Sequence, residues 1–194
     1  MNATIERGGW KRSGWRRLLW AVPTVLLITP AIMMAMAAEG WQWSPFDFVF
    51  AAVLLYGATG TADLAIRKGG SAAYRIGAGL AVLVSFLLIW VNGAVGVIGN
   101  EDNPANLMFV GVIAVAAAGA VIARFEPRGM ARAMLAAFVL NAAIAVAAAA
   151  SGWGGEDAPG TAGLVALIGG FAAMWGLSSA LFAKAARDAA AMQS

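Results

Sequence analysis

The chain has 194 residues, 61% of them hydrophobic and only 12% charged, with mean hydropathy +0.78; a soluble domain is roughly half apolar and about a quarter charged. Lipid rather than water is therefore the main solvent. Cys and His are both absent, which excludes thiolate nucleophiles, Cys or His zinc sites, His-ligated haem and any Ser-His-Asp triad.

Six apolar runs follow one another at about 18–38, 46–66, 76–98, 105–123, 130–150 and 162–183. Each has the roughly 20 residues that a spanning helix needs, and with their turns they occupy nearly all of the sequence. The expected fold is an all-α integral membrane protein of six transmembrane helices in a single polytopic domain, preceded by a basic segment at 1–17. The first run carries an Ala35-Met36-Ala37 cleavage pattern. At about 21 residues it exceeds the 7–15 residues of a signal-peptide core and is read as a retained span.

The breaks between runs alternate in sign. Glu39 and Asp47, Glu101 and Asp102, and Glu156 and Asp157 mark the first, third and fifth, none of which holds a basic residue. All 13 basic residues fall in the N-terminal segment, the second and fourth breaks with their edges, and the C-terminal tail. Short loops rich in Lys and Arg stay on the cytoplasmic side, so the pattern predicts N-in, C-in in a bacterial-type inner membrane. Six spans return the chain to its starting side, and Lys184 and Arg187 stand where an inside C-terminus places them. Trp10, Trp15 and Trp20 near one boundary, and Trp41, Trp43 and Trp153 near the other, read as interfacial belts.

Gly99-Asn100-Glu101-Asp102-Asn103-Pro104 matches Gly154-Gly155-Glu156-Asp157-Ala158-Pro159 at Gly, Glu, Asp and Pro. This points to three helical hairpins in parallel repeat, with Ser44-Pro45-Phe46-Asp47 as a degenerate third copy. Proline at a first helical position, preceded by Ser or Asn, reads as capping, and Asp47 falls where a capping box puts its acid. If the two acidic turns lie side by side, Glu101, Asp102, Glu156 and Asp157 form a weak outer-face cation site for an ion such as Ca²⁺. Asn103-Pro104-Ala105 is an NPA triplet of the kind that aquaporins carry in pairs. One copy at the start of a full-length span reads as a cap.

Within the spans the candidate polar residues are few. Asp63 lies four residues from Arg67, so an i,i+4 ion pair near the boundary is expected; the alternative is proton or cation coupling. Asn92 and Asn141 fall well inside their runs and are read as bonding helix to helix, or else as lining a solute path with Tyr56, Thr59 and Thr61. Gly57 and Gly60, Gly93, Gly96 and Gly99, and the alanines of 142–150 predict tight helix contacts.

So few reactive groups argue against an enzyme, and no cofactor is implied. The expected function is a non-catalytic scaffold or accessory subunit of a membrane complex. The alternative is a small channel or transporter for a cation or small solute with an acidic outer mouth. Expected partners are the lipid bilayer, whose anionic headgroups suit a chain of pI about 9.8, and other membrane subunits or further copies of the chain. No basic domain is present to carry nucleic acid.

Overall fold

The structure, a computed structural model, describes residues 7–68, 70–153 and 160–192. Among them all regular structure is helical: α1 (Arg7–Ala35), α2 (Pro45–Lys68), α3 (Ala72–Ala94), α4 (Leu107–Ile122), α5 (Pro127–Ser151) and α6 (Gly160–Ala191), with a short 3-10 turn at Pro104–Asn106 before α4. Six stretches are long and apolar enough to cross a membrane: Arg16–Ala35, Pro45–Arg67, Ala72–Ala94, Pro104–Ile122, Pro127–Ser151 and Gly160–Ala191. Leu18, Phe46, Val53, Ile122 and Val146 are each more than two-thirds exposed, a surface that hydrocarbon solvates and water does not.

The chain divides into two compact units, Met1–Leu64 and Ala65–Ser194. In the first unit α1 runs unbroken through Pro23 and Pro30. Thr24 and Thr29 donate their hydroxyls back to Trp20 O and Val25 O, four residues earlier on their own helix. The expected capping box at the start of α2 is formed: Asp47 Oδ2 accepts from Ser44 N at 2.7 Å, and Asp47 N donates to Ser44 Oγ at 3.3 Å.

In the second unit α6 packs between α3 and α5, and α4 packs on α5. The buried side of α6 is a seam of Leu164, Ile168, Phe171, Trp175, Ser178, Phe182 and Ala185, whose alternating steps of four and three are the repeat of helices packed lengthwise. Close approach depends on small residues. A Cβ on Gly119 of α4 would stand 2.6 Å from Ala133 Cβ of α5, and one on Gly77 of α3 would stand 3.2 Å from Leu181 Cβ of α6.

Two expectations are corrected here. The third span ends at Ala94, four residues before 98, although Val95, Val97 and Ile98 continue the apolar run. Gly96 takes φ +71°, and a Cβ there would overlap the backbone of Asn100, so the chain turns and Val97 and Ile98 are buried in the turn. Hydropathy registers burial without distinguishing a helix from a folded loop. Of the small residues expected at helix contacts, Gly96 and Gly99 are instead turn residues at φ +71° and Gly57 faces open space, whereas a Cβ on Gly60 would touch the Trp20 ring at 3.8 Å and Ala145 and Ala148 are buried in the core.

Candidate functional site

Asp63, near the end of α2, is 5% exposed. Its Oδ1 and Oδ2 accept from Arg16 Nε and Nη2, each at 3.0 Å. Arg67 on the same helix is the partner expected from spacing; this fork is supplied by Arg16 on α1, 47 residues away. Two turns earlier on the same face of α2, the Tyr56 hydroxyl and Thr24 Oγ1 share a hydrogen bond of 2.8 Å, and the Tyr56 ring stacks on Trp20 at 6.3 Å. Arg16, Trp20 and Thr24 step along α1 as Asp63, Gly60 and Tyr56 step back along α2. Long side chains thus bridge an antiparallel pair of helices and bring two candidates, Tyr56 and Asp63, onto one face. Thr61 instead bonds its own helix, Oγ1 donating to Gly57 O at 2.8 Å.

In the second unit Asn141 is fully buried on α5 and its Nδ2 donates to Ile168 O of α6 at 2.8 Å. Ser178 Oγ donates to Gly77 O of α3, and Ser179 Oγ to Ala131 O of α5, each at 2.8 Å. Three polar groups on the faces of α5 and α6 therefore tie α6 to both neighbours through backbone carbonyls, the use expected of isolated hydroxyls and amides in hydrocarbon. Asn92 turns inward on its own helix, Nδ2 donating to Leu88 O at 2.6 Å. Three buried polar atoms have no protein partner among the described residues: Asn92 Oδ1, Asn141 Oδ1 and Trp175 Nε1.

At the turn before α4, Asn103 caps as expected, accepting from Ala105 N at 3.0 Å. Sequence reasoning missed Asn106. It is 6% exposed; its Oδ1 accepts from Val97 N and Ile98 N at 3.2 and 2.8 Å, and its Nδ2 donates to Asn100 O at 2.7 Å. One amide thus satisfies much of the buried turn backbone that ending α3 early leaves open. Glu101 and Asp102 are exposed at this turn. Glu156 and Asp157, the other half of the expected cation site, lie outside the described residues, and no group of three or more acidic ligands able to hold a metal occurs among those described.

Helices of this length and apolarity, with lipid-suited surfaces, define a multi-pass α-helical membrane protein. No protein-family model, curated protein or solved structure matches the chain.

Proposed function

We propose that the protein is a non-catalytic scaffold or accessory subunit of an inner-membrane complex, its three hairpins in parallel repeat with both termini cytoplasmic. The observation that carries this reading is the use of polar side chains within the second unit: Asn141, Ser178 and Ser179 each spend a donor on a neighbouring helix backbone. A transporter instead gathers polar groups and interrupted helices around a midplane site, whereas α3, α5 and α6 run unbroken. The orphaned amide oxygens of Asn92 and Asn141 favour the alternative of a small-solute path, so the test must separate the two.

Mild detergent extraction from native membranes should yield the chain in fixed stoichiometry with other membrane subunits, whose abundance falls when the chain is deleted. Recovery of the chain alone, with solute flux when it is placed in sealed vesicles, would overturn the scaffold reading in favour of transport.

A further inference from the structure

The first turns of α5 run beside the last turns of α6, and a groove of about 430 Å³ opens between them. That volume falls within the roughly 300–1,000 Å³ of small-molecule sites. Alanines of both helices line it together with three guanidiniums, Arg128, Arg132 and Arg187. None of the three has an ion-pair partner among the described residues. The carboxylate beside Arg187 in sequence, Asp188, is held by Lys184 at 3.1 Å, and Glu126 contributes no side-chain cap to α5.

Cations in a first helical turn oppose the helix dipole, whose positive end favours anions, and the first turn of α5 contains no acid. Three like charges and a helix N-terminus therefore converge on one concavity whose lining holds no acidic residue. Along α5, Arg128 and Arg132 are followed at helical spacing by Leu135 and Val139, which are 50% and 55% exposed. The charged groove thus continues into an apolar surface stripe.

We propose that this groove binds the phosphate-bearing headgroup of an anionic phospholipid, with the guanidiniums on the phosphate oxygens and an acyl chain along Leu135 and Val139. The apolar stripe is what favours a lipid over free phosphate, which has no use for it. A scaffold and a transporter would carry the same groove, so the outcome does not depend on which functional reading holds.

The test is native mass spectrometry of the purified full chain in detergent with equimolar phosphatidylglycerol and phosphatidylcholine. Phosphatidylglycerol should be retained in clear preference. Arg132→Gln should lower that retention about fivefold, the effect of one basic residue near an anionic headgroup. Arg75→Gln, the same charge loss on an arginine outside the groove, should leave it unchanged. Equal retention of both lipids, or unchanged preference in Arg132→Gln and in the triple variant Arg128→Gln/Arg132→Gln/Arg187→Gln, would overturn the proposal. Inorganic phosphate is the second probe: if millimolar phosphate displaces phosphatidylglycerol and stabilises the protein equally, the site belongs to a free anion and the lipid assignment fails.

Discussion

The fork between Arg16 and Asp63 uses two parallel charge-assisted hydrogen bonds, each at 3.0 Å, on a carboxylate side chain that is 7% exposed beside a guanidinium that is 43% exposed. Hydrogen bonds to charged groups contribute about 1.5–3 kcal/mol, but a guanidinium this exposed can return to water when its partner is removed. Asp63→Asn should therefore fold, at a cost of about 1–2 kcal/mol in detergent unfolding, at the low end of that scale. A double-mutant cycle with Arg16→Gln should return a coupling of about 1 kcal/mol or more; additive costs would show that the fork does not stabilise the helix pair. Asn141 leads to a different expectation. Asn141→Leu removes both the bond to Ile168 O and the orphaned Oδ1 at similar volume, and membrane interhelical bonds average only about 0.6 kcal/mol. Stability should stay within about 1 kcal/mol of the parent, and a loss several times larger would mean that the amide anchors a wider polar network. Sequence reading found both residues because a carboxylate or amide in an apolar run is conspicuous. Separation along the chain offered Asp63 the charge four residues away, Arg67, and could not offer one 47 residues away. Arg16 becomes identifiable only when α1 and α2 are set antiparallel and in register, which depends on where the intervening turn lies.

Helix packing in the second unit rests on where a side chain is missing. At Gly119 the α4 backbone lies so close to α5 that a Cβ would stand 2.6 Å from Ala133 Cβ, whereas at Gly111 of the same helix it would meet nothing within 4 Å. Gly119→Ala should force the helices apart at about 1–3 kcal/mol, the usual cost of overpacking, and Gly111→Ala should be neutral or slightly stabilising, since alanine is the better helix former. Paired thermal melts in detergent measure the contrast; equal melting temperatures would mean that α4 does not bear on α5 at this point. The existence and approximate limits of all six helices were legible because a spanning run of about 20 apolar residues is a strong signal. Which faces pack was not. In a water-soluble helix the apolar stripe marks the core, but here lipid-facing Val139 and core-facing Ala137 are both apolar, so composition does not tell seam from surface. The four-and-three seam of α6 emerges only once burial is known. The third span ran too far in the sequence reading for a related reason: the apolar signal of Val97 and Ile98 comes from a turn held by Asn106.

At the scale of the whole molecule, the alternation of charged breaks is independent of helix packing, because it reflects insertion and not contacts. Glu101, Asn103 and Asn106 stand at the connection before α4, and Glu126 and Arg128 at the connection after it and the start of α5. A helix that crosses the membrane puts those connections on opposite sides. The three arginines of the α5–α6 groove belong to the basic class of breaks, so the proposed orientation, with both termini cytoplasmic, would put the groove in the cytoplasmic leaflet. The chain contains no cysteine, and every introduced thiol is therefore a unique reporter that needs no background substitution. With both termini inside, Glu101→Cys should react with a membrane-impermeant thiol reagent in intact cells, while Arg128→Cys should react only after the membrane is opened. Both positions are exposed, so failure to label reports sidedness and not burial. Labelling of Arg128→Cys in intact cells, with Glu101→Cys protected, would invert the orientation and place the groove in the outer leaflet. Labelling of both without permeabilisation would mean that α4 does not cross, leaving an odd number of spans and the termini on opposite sides. The remaining charges weigh against that last outcome: with α4 lost, Arg124, Arg128, Arg132, Lys184 and Arg187 would all share a side with Glu101 and Asp102, five of the 13 basic residues against the bias.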